Sequence, residues 1–386
     1  MNAHAMTTQT EQVFTNALIV LPDEVVEGSL LVREGRIADI SAGKVRGGVD
    51  CEGDHLLPGL VELHTDNLEG HYLPRPKVRW NIHAALQAHD AEVAASGITT
   101  VFDALRVGMD EDAQLGGADM QLMADAIGAA SERGDLRAEH FLHLRCEVSA
   151  EDVLPSFERL GSHPLVRLAS LMDHAPGQRQ FVDLETYRIY YQGKTGMSDP
   201  VFEAFCARRI KDSQTYSERH RRAIAEMCHK AGIAIASHDD ATAAHVEESR
   251  ALGVALAEFP TTLEAARLSH ESGLAVLMGA PNVVRGGSHS GNISAAALVE
   301  RGLLDVLSSD YVPFSLVQAV FVLAETIGLC AAVRMVSANP ARVAGFADRG
   351  ALLTGLRADL VRVHAPEGKI ATPVVRGVWR GGRRVA

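Results

Sequence analysis

Two short stretches of the chain set ionisable side chains two residues apart: Glu62, His64 and Asp66 in LVELHTD, and His143, Arg145 and Glu147 in HFLHLRCE. Three more groups of the same kind, His174, His238 and Asp310, each close an apolar run. Imidazole and carboxylate together suit a divalent transition ion, zinc first with manganese or iron as alternatives, whereas calcium and magnesium prefer cages of oxygen alone. The candidate metal ligands are therefore His64, Asp66, Glu147, His174, His238 and Asp310, enough for one ion or for two with Glu147 as a bridge. Such an ion lowers the pKa of bound water towards neutrality, and a carboxylate such as Asp310 is the candidate base for the remaining proton. Asp239 and Asp240, directly after His238, read as helix caps or as carboxylates that orient ligands. Taken singly, each of these residues is as well explained as a hydrogen-bonded structural group; the joint pattern carries the reading.

The elements that must position them follow from hydropathy. Between residues 56 and 345, eight apolar runs alternate with longer amphipathic stretches; they end near Asp66, Ala104, Glu147, His174, His238, Pro260, Ala280 and Asp310. Eight parallel strands in series predict an α/β fold, a distorted (β/α)8 barrel, with its chemistry at the C-terminal strand ends. Period-two alternation predicts that Glu62, His64 and Asp66 share the interior face. Val61 and Leu63 should then pack outward, as should Leu142, Leu144 and Cys146 in the third run. Residues 1–55 and 346–386 show short alternating runs with Gly at the turns, which predicts one small β-sandwich domain assembled from both termini around the barrel of 56–345.

Composition removes several function classes. The chain has 386 residues, 47% hydrophobic and 22% charged, with a net charge of -12, so neither nucleic acid nor an anionic membrane surface is expected as a partner. Five scattered cysteines without a CxxC spacing are expected to stay reduced in a cytoplasmic protein. No leader or membrane span is expected, since the most apolar stretch, residues 311–333, is interrupted by Glu325.

The segment LLPGLVELHTDNLE, a run that opens on PG and closes on His-x-acid, resembles the first-strand motif of the amidohydrolase superfamily, and SANPARVAG with DRGALLTGLRADLV resembles its C-terminal signature. That resemblance implies a metal-dependent hydrolase barrel flanked by a small β domain, and a homodimer with no face assigned. Two departures narrow it: the usual His-x-His is His64-Thr65-Asp66, and no Lys stands at a strand end to be carbamylated. With HTDN, PRPKVRW, ASHDDAT, EFPTT, MGAPNVVRGGSHSGN and SSDY, the chain is similar to one subfamily, the diphosphatases of phosphonate breakdown. The resemblance implies hydrolysis of the 5-triphosphate of a ribosyl phosphonate to the 5-phosphate and diphosphate. It assigns the same six ligands.

A small phosphorylated substrate of this kind needs local cations despite the net negative charge. The candidates are Arg75 and Lys77, which alternate with Arg79 in the first loop, Arg145 beside Glu147, Arg179 after His174, and Arg285 with His289 in the glycine-rich RGGSHSG segment. Alternating basic residues are more often a solvated face, and glycine-rich loops more often plain turns; the metal constellation beside them favours phosphate binding. The nearest rival is a carbon-nitrogen amidohydrolase such as a cyclic imidase, dihydroorotase or deaminase, which needs a pocket with fewer cations. A non-catalytic scaffold barrel is the other, and six retained ligands speak against it.

Overall fold

The computed structural model describes residues 11–108, 114–179, 184–287, 292–366 and 372–386. Eight parallel strands follow in chain order, Leu60–Thr65, Ile98–Val107, Glu139–Glu147, Val166–Met172, Ala234–His238, Leu256–Glu258, Ala275–Gly279 and Val306–Ser308. Each pairs with the next. The seam between the last strand and the first is closed by side chains in place of a regular ladder. Glu62 lies there fully buried and accepts from Ser308 Oγ (2.8 Å) and the Ser309 amide (2.5 Å), while Thr65 Oγ1 donates to the Asp310 carbonyl (2.8 Å). Burial pushes the Glu62 carboxyl up to about 7. Lower down, the chain at Met335 and Val336 wedges into the gap, where Val336 O accepts from Val61 N and Met335 O from Leu307 N.

One expectation of alternation is overturned in the first strand. Glu62 pairs with Val101 and Thr65 with Asp103, so Leu63 and His64 together face the single residue Phe102. That extra residue is a bulge, and it resets the parity of every side chain after it. Val61 and Leu63 consequently pack inside the barrel in a layer with Phe102, Phe141, Leu168, Ala236, Leu256, Leu277 and Val306. His64 joins the interior by the bulge, and Glu62 turns to the seam. The third strand has no such break after His143; Leu142, Leu144 and Cys146 face the helices as expected, against Leu86, Met120, Ile127 and Ile224.

The two ends of the chain meet in a separate mixed sheet. Its strands run Arg383–Arg384, Val374–Arg380, Leu360–His364, His55–Pro58, Glu11–Val20, Val25–Arg33 and Arg36–Ala42, with Val49–Asp50 also paired to the Glu11–Val20 strand. The strands from opposite termini pair antiparallel, Leu360 with Pro58 and Val363 with His55. The sheet curls strongly: Phe14 and Trp379, three strands apart, touch edge to face at 4.8 Å, and Ala358 N donates to Gly35 O across the opening. Gly59 links this terminal domain to the barrel at a point where a Cβ would sit 2.3 Å from Thr99 Oγ1, so only glycine fits there.

Between the fourth and fifth barrel strands the chain inserts two helices, Leu184–Thr195 and Asp199–Ala231. Tyr187, Tyr191, Phe202 and Phe205 cluster where the two helices meet. Tyr191, Thr195, Met197, Phe205 and Arg209 from this hairpin form one wall of the cleft at the C-terminal end of the barrel. No helix among the described residues is long and apolar enough to cross a membrane.

Candidate active site

All six candidate ligands, His64, Asp66, Glu147, His174, His238 and Asp310, line one cleft of ≈ 1060 Å³. Their strands end sharply: Asp239, Phe259 and Asp310, which follow the fifth, sixth and eighth strands, all take a left-handed backbone with φ of 56°, 52° and 55°. Non-glycine residues hold that conformation only when the surroundings enforce it, and it turns the Asp239 and Asp310 carboxylates back over the barrel mouth.

The imidazoles are held by carboxylates. Glu258, fully buried at the end of the sixth strand, stands with one oxygen 3.2 Å from His64 Nδ1 and the other 3.1 Å from His238 Nδ1. A carboxylate only accepts, so both Nδ1 atoms carry the proton and both Nε2 atoms keep a lone pair for a metal. Glu147 does the same for His174: one oxygen accepts from Nδ1 at 2.7 Å, while the other takes the His174 amide (3.1 Å), Ser149 Oγ (2.6 Å) and an Arg209 contact at 3.3 Å. The carboxylate expected to bridge two ions is thus engaged with His174 and its neighbours. Burial pushes His64 and His238 down to about 3, which keeps them neutral, as ligands must be. His174 is raised instead: burial opposes its charge, and Glu147 more than offsets that.

The fit of a metal ion rests on Asp239. Its Oδ2 is buried and makes no hydrogen bond, yet it lies 3.4 Å from His238 Nε2 and 3.7 Å from His174 Nε2. Burial pushes this carboxyl up to about 6. An unsatisfied carboxylate oxygen facing two ring nitrogens is costly without a cation among them, and the set His174, His238 and Asp239 has the mixed nitrogen and oxygen donors of a transition-ion site. Asp239 therefore belongs with the candidate ligands, and the cap of the helix Ala243–Ala251 is Thr242, whose side chain accepts from His245 N. Asp66 and Asp310 line the same cleft; burial, and then the charge of Asp66, push Asp310 up to about 7.

The cations sort differently from expectation. Arg145 and Arg285 line the cleft, joined by Arg106 and Arg209. Arg145 lies 3.2 Å from Asp66, and Arg106 makes a two-pronged contact with Glu69 (3.0 and 2.8 Å). Arg75 and Lys77 are exposed and do not line the cleft, and Arg79 is bound to Asp119. Arg179 is buried and held by Asp240 and Glu248, away from the lining. His289 lies outside the described residues.

Three residues of the site, two lining the cleft and one buried behind it, escape sequence reasoning. Glu258 meets the same criterion as the others, an ionisable group closing an apolar run, but the strand ends there and not at Pro260, where hydropathy places its end. Arg106 lies two positions past the expected strand end at Ala104, and the strand continues to Val107. Arg209 carries no signal, because it sits within a 33-residue helix whose docking is a tertiary matter. A second buried trio, His89, Asp103 and His140, also has metal-like composition, but it lies behind the strands with all four ring nitrogens hydrogen-bonded.

A family model for the amidohydrolase family matches residues 210–385. Over 379 residues the sequence is 48% identical to alpha-D-ribose 1-methylphosphonate 5-triphosphate diphosphatase of Escherichia coli (strain K12), which covers 97% of this chain and 100% of that protein. The chain belongs to the amidohydrolase family. The same fold recurs in solved structures: N-acetyl-D-glucosamine-6-phosphate deacetylase from Mycobacterium smegmatis aligns at a TM-score of 0.63 and 14% identity over 97% of this chain and 99% of its own. An enamidase aligns at 0.61 and 16% over 97% and 96%. At that identity the two describe the barrel and terminal domain of this amidohydrolase, and leave its substrate to the cleft and to the nearer relative.

Proposed function

We propose that this amidohydrolase is a divalent-metal-dependent diphosphatase that converts alpha-D-ribose 1-methylphosphonate 5-triphosphate to the 5-phosphate and diphosphate. The observation that carries the reading is the 48% identity to a diphosphatase of that specificity, over 97% of this chain and the whole of the relative. The cleft supports it: Arg106, Arg145, Arg209 and Arg285 surround a space of ≈ 1060 Å³, ample for a charged sugar with three phosphates.

His64, Asp66, His174, His238 and Asp239 are the residues to hold the metal, zinc first, with Glu258 and Glu147 setting the imidazole orientations and Asp310 closing the site. A divalent ion bound there supplies Lewis acidity and a water of near-neutral pKa. Asp310, raised to about 7, is matched to accept a proton from the attacking water at neutral pH. Arg106, Arg145, Arg209 and Arg285 are the cations of the cleft available to the phosphate oxygens of substrate and departing diphosphate. Water adds to phosphorus, one P–O–P bridge breaks, and its electron pair leaves with diphosphate. The hairpin wall of Tyr191, Met197 and Phe205 limits access of bulk water. Five cysteines without a disulfide accord with a cytoplasmic setting.

The test is to follow diphosphate and orthophosphate separately with metal-loaded protein on the ribosyl phosphonate triphosphate, on a nucleoside triphosphate and on a dihydropyrimidine. Diphosphate from the first is the expected result, with Asp310→Asn slower by roughly two to four orders of magnitude at unchanged metal content. Ring opening of the dihydropyrimidine with triphosphates untouched would replace the reading by a carbon-nitrogen hydrolase.

A further inference from the structure

We infer that the chain carries a second binding site, for a small oxyanion of the phosphate class, in a concave pocket remote from the barrel mouth. The pocket, ≈ 280 Å³, lies between the turn after the helix Gly117–Arg133 and the last hairpin of the terminal sheet. Arg137, Arg380, Arg383 and Arg384 line it, against one carboxylate in the lining, Asp135, which is paired with Arg133 at 2.7 Å. Four arginines line this one small cavity on a chain of net charge -12.

Neighbouring arginines of the same sheet are neutralised: Arg357 by Asp359 and Glu139, Arg362 by Asp54 and Glu52, and Arg376 by Glu52 and Asp54. In the pocket only Arg137 has a side-chain carboxylate partner among the described residues, Asp90 at 3.0 Å. Arg380 donates to the Leu136 carbonyl (3.1 Å), and Arg384 to an oxygen of the last residue, Ala386 (3.1 Å), and to the Arg376 carbonyl (3.4 Å), with its guanidinium 5.7 Å from the Trp379 ring; Arg383 makes no side-chain hydrogen bond or ion pair with a described residue. Moreover, Arg380 and Arg383 are directly opposite each other in the hairpin, a like-charge cross-strand pair that destabilises a sheet unless something neutralises it. A divalent or trivalent oxyanion accepts from several guanidinium forks at once and removes that repulsion. A cavity of ≈ 280 Å³ admits orthophosphate, a methylphosphonate or diphosphate.

The experiment is hydrogen–deuterium exchange of the full chain with millimolar orthophosphate, methylphosphonate or diphosphate, against acetate at matched ionic strength. The expected result is exchange slowed several-fold in peptides spanning 134–138 and 378–386, with the most effective of the three anions identifying the natural source. In Arg383→Gln/Arg384→Gln, both exposed and outside the barrel, that slowing should vanish while the melting temperature does not fall and the turnover at the barrel mouth is kept. No slowing in the parent chain, equal slowing by acetate, or slowing that survives in the variant would each overturn the site. None of these readouts depends on which reaction the barrel catalyses.

Discussion

Glu258 shows how much of a metal site lies outside its ligands. Its two oxygens meet His64 Nδ1 and His238 Nδ1, and so decide for both rings which nitrogen faces the cleft. Glu258→Gln keeps the shape but brings an amide that can donate as well as accept, so one imidazole loses its partner or flips its tautomer. We expect metal affinity to fall roughly 10–100-fold, with a matching loss of activity that excess metal partly restores. Competition with a chromogenic chelator measures the first and a metal titration of the activity the second. Retention of parent affinity would mean that the ring orientations are set by packing alone, for instance by Phe259, which touches both imidazoles edge-on.

At the scale of elements, the helix Ile82–Ala95 is riveted to the second and third barrel strands by a buried polar chain. Asp103 lies 2.7 Å from both His89 Nε2 and His140 Nδ1, and the second nitrogen of His140 lies 3.3 Å from Asp90, which also accepts from the amides of Arg137 and Ala138. With carboxylates on both nitrogens His140 is held as imidazolium; burial opposes the charge, but Asp103 raises its pKa to about 9. The folded value lies above the ordinary one near 6.5, so the stability this group contributes is fully present below about 6.5 and is lost as pH rises through about 9. Asp103 is held well below the usual carboxylate range by the two histidines, against the cost of burial, so its share is present at neutral pH and lost only in acid. The urea midpoint should therefore fall between pH 7 and pH 10, and His140→Gln should flatten that fall. Asp103→Asn, which strands a buried cation, should destabilise by roughly 3–5 kcal/mol at neutral pH. A midpoint independent of pH in the parent chain would show that His140 is neutral when folded.

At the scale of the whole molecule, the barrel depends on the closeness of the chain's two ends. Gly59 passes between Thr99 and Asp359, and its amide donates to Asp359 O at 2.8 Å, so the last strand of the N-terminal part and the loop before the Leu360–His364 strand are clamped at one point. Gly59→Ala would bring a methyl to 2.7 Å of the Asp359 Cβ, and overpacking of this kind costs roughly 1–3 kcal/mol. The melting temperature should fall by several degrees with the assay of the barrel mouth nearly unchanged below it; an unaltered melting curve would mean the two domains can slide apart freely. Metal removal acts on the same global stability by mass action: an ion at 100 times its dissociation constant contributes about 2.7 kcal/mol, so chelation should lower the melting temperature, and by less in the Glu258→Gln protein.

The alternation of apolar runs and amphipathic stretches determined the eight strands, their order and the pairing of the two termini, because period-two and helical patterns are properties of neighbours along the chain. The same locality made His64, Asp66, Glu147, His174, His238 and Asp310 legible, since each closes a run and strand ends converge in a barrel. What the tertiary structure alone decided lies in contacts between distant segments. The bulge at Leu63–His64 brought His64 into the interior that Val61 and Leu63 also face, with Glu62 at the seam, which no count of alternation foresees. Arg179 and Arg145 have the same formal charge, yet Asp240 and Glu248 draw one into the core behind the site while the other faces the cleft. A side chain's type sets what chemistry it can do; its partners, brought from 60 or more residues away by folding, set whether it is free to do it.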